Sequence, residues 1–391
     1  MNPLLSAEQA VLGSVLLDPG QLAHLDWLAP DHFYRPVHQA LFAALRKLRN
    51  DGHPALATET SVPPLSWVTD TVDEASRHVR GLTAAYPHTL ISACPRSEHA
   101  PVYGRMVLEG AIHRSITEHA IRLHQAARAD ALRGEVEGTL HYADVLSDVL
   151  NDLARRWGTE PRAVPPAPLS ATTPLVTPLV RADQVAEDER FLLAVLVERP
   201  GAMDEVVGWL RPYDFADPAH EQLYRCLGAL HHRGEPIDRI TLLWEAQQRG
   251  LLADGTLSDD QLTAICDGVG AGSAEWLGET VMRSSVTRTA ATSARAVRSL
   301  AENETLAPGR LINHALHALG PLDDVRTRWQ AANGRPTPRP PAPVPAPDES
   351  PPAQVRAALS RSTPRAASPP SARPGLAPIP ATARPPSRGH S

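Results

Sequence analysis

Residues 28–45 read LAPDHFYRPVHQALFAAL and residues 210–227 read LRPYDFADPAHEQLYRCL, so one stretch of sequence occurs twice in the chain. At a constant offset Pro30 meets Pro212, Phe33 meets Phe215, Pro36 meets Pro218, His38 meets His220, Leu41 meets Leu223, Phe42 meets Tyr224 and Leu45 meets Leu227. Trp27 and Trp209 match ahead of this block; Gly52 with Gly234 and Pro54 with Pro236 match behind it. One inserted residue upstream brings Glu8, Leu12, Pro19 and Gly20 onto Glu189, Leu193, Pro200 and Gly201. With small gaps the match runs on through Leu65 and Trp67 with Leu242 and Trp244, and through Gly104, Val107 and Arg114 with Gly278, Val281 and Arg288. Each copy closes on arginine and tryptophan, Arg155-Arg156-Trp157 and Arg326-Thr327-Arg328-Trp329. A unit of roughly 150 residues is domain-sized and has room for its own core. The chain is therefore expected to fold as two copies of one domain, residues 1–158 and 183–330.

The pattern inside each copy is helical. Ser6 followed by Gln9 is a capping-box pattern at the head of an apolar run. Pro36 suits the first turn of a helix, where its missing N–H costs nothing. Val37, Leu41, Ala44, Leu45 and Leu48 then fall on one helical face, and Gly52 suits the stop. Pro218 and Gly234 bracket the same helix in the second copy. Ile112, Ile116 and Leu123 share a face further on, and Ala143, Leu146, Leu150, Leu153 and Trp157 follow at alternating three- and four-residue spacing. That seam predicts two helices folded back as a hairpin. Ile312, Ala315, Leu319 and Leu322 fit a second seam, which Gly320-Pro321 is expected to break or kink. Alternating strand patterns are absent, so the fold class is all-α.

Two stretches differ in composition. Residues 159–182, centred on TEPRAVPPAPLSATTPLVTPL, are rich in Pro, Ala and Thr and predict an extended, semi-stiff linker that leaves the two domains free to stand apart. Residues 331–391 are dominated by Pro, Ala, Ser and Arg and are expected to be a disordered tail, because they hold too little apolar surface to offset ordering entropy. RPTPRPPAPVPAP within it could present polyproline II to a groove. The tail carries eight arginines against Asp348 and Glu349, so the total charge of −6 leaves the folded part at roughly −12. An acidic body is a poor surface for duplex DNA; any nucleic-acid binding is expected to be weak, salt-dependent and confined to the Arg-rich tail.

Catalytic chemistry finds little to work with. A phosphate-binding loop of the G-x-x-x-x-G-K-[ST] type needs a lysine, and Lys47, within LRKLRN, is the single lysine of the chain. GVGAG at 268–272 has no lysine after it and reads as a loop between helices. The 17 histidines show no metal-ligand spacing, and Cys94, Cys226 and Cys266 form no CxxC pair. No catalytic, cofactor or metal site is expected; His38 and His220 are expected to be partly buried and hydrogen-bonded to a neighbouring helix or loop. Trp27 with Trp209 and Phe33 with Phe215 are read first as core anchors, with a docking face as the alternative. Together with Tyr34, Trp157 and Trp329 they are the candidate partner-binding residues. No secretory signal or membrane-length apolar run is visible, which predicts a cytoplasmic protein that does not contact membrane.

The segments AEQAVLGSVLLD (7–18), LAPDHFYRPVHQALFAALRKLRNDGHP (28–54) and YGRMVLEGAIHRSI (103–116), and again FADPAHEQLYRCLGALHHRGEPIDRITL (215–242) with QQRGLL (247–252), resemble the N-terminal domain of DnaB-family replicative helicases. The resemblance covers most of residues 3–330. It implies a globular helical head followed by a helical hairpin, used for pairing and for docking primase rather than for catalysis, which in that family lies in a separate RecA-like ATPase domain. Nothing of that domain's composition follows Trp329. The expected function is therefore a non-catalytic, replication-associated interaction module: a helicase adaptor, loader accessory or inhibitor with replicative helicase or primase as partner, and with self-association or internal pairing of the two copies. The alternative is a self-associating scaffold whose partners bind the Pro/Arg tail; an active helicase is the least expected.

Overall fold

The computed structural model describes residues 2–57, 65–165, 182–268, 270 and 272–334, all within one compact unit. The expectations for linker residues 166–181, for tail residues 335–391 and for Val269 and Ala271 of the glycine-rich stretch lie outside the described residues. Among the described residues every regular element is helical. The first copy has a head made of α1 (Pro3–Leu17), α2 (Pro36–Asn50), α3 (Leu65–Ser76) and α4 (Tyr86–Ala93), then a hairpin of α5 (Ala100–Arg133) and α6 (Glu137–Trp157). The second copy has a head of α7 (Ala182–Glu198), α8 (Met203–Val206), α9 (Pro218–Arg233), α10 (Arg239–Gln248) and α11 (Asp259–Cys266), then a hairpin of α12 (Ala274–Glu302) and α13 (Pro308–Ala332).

Local chemistry sets these limits. Pro36 and Pro218 open α2 and α9 as expected, and Gly52 and Gly234 follow their ends in the left-handed conformation, φ +73° and +68°. The start of α1 differs from expectation. Asn2, not Ser6, caps the helix, its side chain accepting from Leu4 N at 3.0 Å, and Ser6 lies inside the helix donating to Asn2 O. The α5–α6 turn is closed by Gly134 at φ +74° and by the buried Asp130, whose Oδ2 accepts from Thr139 N at 2.6 Å and Thr139 Oγ1 at 2.9 Å.

The break expected at Gly320-Pro321 does not occur: α13 runs through both residues. Proline inside a helix costs about 3 kcal/mol. Leu319, Leu322, Val325 and Trp329 are buried along α13, each contributing roughly 1.5–3 kcal/mol, so burial outweighs the lost backbone bond.

The two copies do not stand apart, and the reason is the apolar faces of their hairpins. α5 packs along α12, and α6 along α13. His113 of α5 places Nδ1 2.8 Å from Ala301 O, whereas His124, further along α5, places Nδ1 3.3 Å from Ala291 O. Rising numbers on α5 thus meet falling numbers on α12, so the pair is antiparallel. The repeat places Ala120 opposite its own counterpart, Ala294, near the centre, and both are buried. Ile112, Ile116, Ala120, Leu123 and Ala127 share one core with Ala290, Ala294, Val297 and Ala301. Each hairpin tip reaches the other copy: Val136 and Leu140 join the core of the second head, and Leu300 and Leu306 pack on the first. The start of the linker is also tied down. Arg162 N donates to Asn313 Oδ1 at 2.9 Å, and Val164 N donates to Asn313 O at 3.2 Å.

Candidate interaction surfaces

In each head, two positions matched by the repeat meet in space. Glu8 Oε2 lies 2.7 Å from His38 Nδ1, and Glu189 Oε2 lies 2.9 Å from His220 Nδ1. All four side chains are buried. A buried carboxylate persists only with its lone pairs engaged, and here the remaining acceptor sites take backbone N–H groups. Tyr34 N donates to Glu8, while Ala216 N and Asp217 N donate to Glu189, the latter at 3.2 Å. Tyr86 Oη closes the first network at 2.7 Å from His38 Nε2. The carboxylate on the first helix of each head thus clamps the loop that enters the proline-started helix. A half-buried arginine clamps the same loop from the hairpin: Arg114 donates to His32 O at 2.6 Å and Arg288 to Asp214 O at 2.7 Å. Burial lowers the pKa of both guanidinium groups, partly offset by Glu8 and Glu189 respectively.

The clamped loops present different side chains. In the first copy Tyr34 is 66% exposed, with the Arg114 guanidinium 5.5 Å from its ring centroid. His32 closes the loop by accepting from Ala29 N at 3.0 Å, and burial pushes its pKa down against the pull of Asp31. In the second copy Asp214 takes that place. It accepts from Arg211 N at 2.7 Å, from Ser285 Oγ at 2.8 Å and from both terminal nitrogens of Arg328, at 2.5 and 3.0 Å. Arg328 also lies over the half-exposed Tyr213, 4.9 Å from its centroid.

The candidate partner-binding residues divide by burial. Phe33 and Phe215 face inward, each with its ring centroid 4.9 Å from a core aromatic, Phe42 and Tyr224, and Trp329 is only 5% exposed. Phe33 and Phe215 pack in the two cores, the first of the two readings given for them, and Trp329 packs in the second. Trp27 and Trp209 are half-buried and bonded to the short helical turns just before them, Trp27 Nε1 to His24 O at 3.0 Å and Trp209 Nε1 to Glu205 O at 2.9 Å. Their ring edges fill the space beside Gly104 and Gly278, where an added Cβ would stand 3.2 and 2.7 Å from them. The repeat showed both pairs of positions but not that each glycine seats a tryptophan. Trp157 is half-buried against the shared hairpin core. Of the seven, Tyr34 presents the most open surface.

Exposed apolar residues were missed, among them Ile240 at 79% and Trp244 at 62%, one turn apart on α10. The pairing of Leu65 and Trp67 with Leu242 and Trp244 put these elements out of register. Trp67 is fully buried, with Nε1 donating to Val15 O at 3.0 Å, and Leu65 is exposed; Leu242 is buried and Trp244 is exposed. The burial that does recur is Glu74-Ala75 and Glu245-Ala246. Matching electrostatics support that register: Lys47 and Arg77 hold the Glu74 pKa down, and Arg233 and Arg249 hold down that of Glu245. Lys47 itself sits on α2 with Nζ 2.7 Å from Glu74 Oε1. Among the described residues no group of three or more His, Cys, Asp or Glu is placed to hold a metal ion. No helix among them is long and apolar enough to cross a membrane.

The family model described as the DnaB-like helicase N-terminal domain matches residues 1–109 and again residues 181–275, together more than half of the chain. The chain belongs to the DnaB-like helicase N-terminal domain family. The two matches cover both heads and the first turns of α5 and, barely, of α12, so the DnaB-type domain occurs in tandem. Among curated proteins, the replicative DNA helicase DnaB of Mycobacterium leprae is 35% identical over 133 residues, 34% of this chain and 21% of that protein. DnaB of Geobacillus stearothermophilus is 32% identical over 123 residues, 31% of this chain and 25% of that protein. The replicative DNA helicase DnaC of Bacillus subtilis is likewise 32% identical over 123 residues, 31% of this chain and 25% of that protein. The chain thus spans about a fifth to a quarter of the length of these relatives. No solved structure gives a significant match. The DnaB-type head is a helicase-related replication domain, and in this chain the surfaces it leaves open differ between the two copies.

Proposed function

We propose that the chain is a non-catalytic interaction protein of DNA replication that engages a replicative helicase, primase or both, as an adaptor, loader accessory or inhibitor. The observation that carries this reading is the tandem DnaB-type domain whose two hairpins pair with each other. The relatives named are replicative helicases, and their similarity to this chain is confined to a minor part of their length. Lys47, the one lysine available to a phosphate loop, is engaged with Glu74 on a helix, which supports a role without nucleotide hydrolysis. The heads, with Tyr34 exposed on the first, are the surfaces left open once the hairpins are paired. The site of action is the cytoplasm.

The test is capture of purified replicative helicase and primase from the source organism on the immobilised full chain, with an ATPase assay on single-stranded DNA alongside. Retention of either protein without turnover supports the proposal. Retention of neither, or turnover above background, overturns it.

A further inference from the structure

The α10 face formed by Ile240 and Trp244 has no counterpart in the first copy. In the register set by Glu74-Ala75 and Glu245-Ala246, Ile240 and Trp244 correspond to Thr69 and Asp73 of α3, both exposed and polar. The fold therefore does not require an apolar side chain at either position, and a bare indole with an isoleucine one turn away is a surface without a partner among the described residues. The surroundings are acidic. Arg239, next to Ile240, donates to Thr263 Oγ1 at 2.9 Å, which brings the middle of α11 beside this end of α10. Asp259 and Asp260 lie one turn before Thr263, are exposed, and form no ion pair among the described residues. The face thus offers an aromatic plate beside uncompensated carboxylates.

We propose that the occupant of this face is the chain's own segment 335–347, RPTPRPPAPVPAP. Its composition is the complement of the site. Proline-rich segments in polyproline II form dock on aromatic-lined surfaces with little ordering cost, and Arg335 and Arg339 carry the charge that Asp259 and Asp260 lack. The point of departure also fits. The segment begins at Arg335, just past α13 (Pro308–Ala332), whose Trp329 packs into the core of the same head that buries Leu242 of α10. At ~3 Å per residue the segment reaches roughly 40 Å, several times the ~10 Å diameter of a helix, so it can pass from that core to the outer face of α10. Tethering makes the contact intramolecular, with an effective concentration of order millimolar, so a weak individual contact suffices to keep the face covered.

The test places a photo-crosslinker in the full chain, Pro343→p-benzoylphenylalanine, with irradiation at high dilution and mapping of the products by mass spectrometry. The expected result is a crosslink within one chain, to α10 or α11. It is lost in the Ile240→Thr, Trp244→Asp double variant, which copies the first head, and equally in the Arg335→Glu, Arg339→Glu variant, which leaves the head untouched. Crosslinks that map elsewhere, that join two chains, that persist in both variants, or that do not form at all overturn the proposal.

Discussion

The two heads share a frame and differ in what is attached to it. Both bury a glutamate on the first helix against a histidine on the proline-started helix, and both tie the intervening loop to an arginine on the hairpin. They part at the next layer. The first head closes its loop with His32 and buries Trp67; the second closes its loop with Asp214, bound by Arg328 from the end of its own hairpin, and leaves Trp244 outside. Groups that hold backbone have kept their chemistry, and groups that set the surface have changed.

The largest test of that division concerns the two tryptophans. Trp67→Ala is expected to cost about 3–5 kcal/mol in a denaturant titration, as for a fully buried aromatic, and Trp244→Ala to stay within about 0.5 kcal/mol. Equal losses would mean that Trp244 is held in the second head as firmly as Trp67 is in the first. Next in size is the loop ion pair. Arg328→Ala strands the buried Asp214 and is expected to cost about 3–4 kcal/mol. Arg156→Ala, at the matching place in the first copy, removes a half-exposed arginine paired with Asp152 and is expected to cost less than about 0.5 kcal/mol. A third comparison uses the glycines that seat the tryptophans. A Cβ at Gly278 meets the rigid indole of Trp209 at 2.7 Å, whereas at Gly104 the nearest atom is a Leu25 methyl that can rotate. Gly278→Ala is expected to lose about 1–3 kcal/mol by overpacking, and Gly104→Ala less.

The smallest effect is a pH window confined to one side of the hairpin pair. Burial beside α12 lowers the pKa of His124, with the bond to Ala291 O opposing it. A histidine whose folded pKa lies below its unfolded value of about 6.5 adds its full share of stability above that pH and loses it as the pH falls toward the folded value. Its counterpart, Arg298, pairs with Glu302. Unfolding midpoints at pH 8 and pH 5.5 should therefore converge when His124 is replaced by Gln. An unchanged difference would remove His124 as its source.

What could be read from residues alone was what repeats at short range. The proline-started helices, their glycine stops and the hairpins were legible because each depends on a few neighbouring positions. The contact between Glu8 and His38 was not, although both had been matched across the copies, because a buried hydrogen-bonded pair 30 residues apart leaves no periodic trace. Asn2 rather than Ser6 begins α1 because either residue can cap, and the apolar run does not say where the first turn lies. The break at Pro321 does not occur because propensity counts the local cost and not the side chains buried along α13. The closeness of the copies was hidden for the same reason: a proline-rich connector permits separation, and only the apolar hairpin faces require contact. Among the candidate partner-binding residues, recurrence could not separate Phe33, which is core, from Tyr34 beside it, which is not.

The antiparallel hairpin pair has a further consequence. When two identical chains associate about a two-fold axis, every substitution is made twice, and a side chain that suits one edge of the contact must be tolerated at the other. Covalent linkage removes that condition. His113 reaches two carbonyl oxygens of the opposite hairpin, while Thr287, its counterpart, bonds within its own helix. A change on one side is here made once, so one head is free to specialise while its twin preserves the joint.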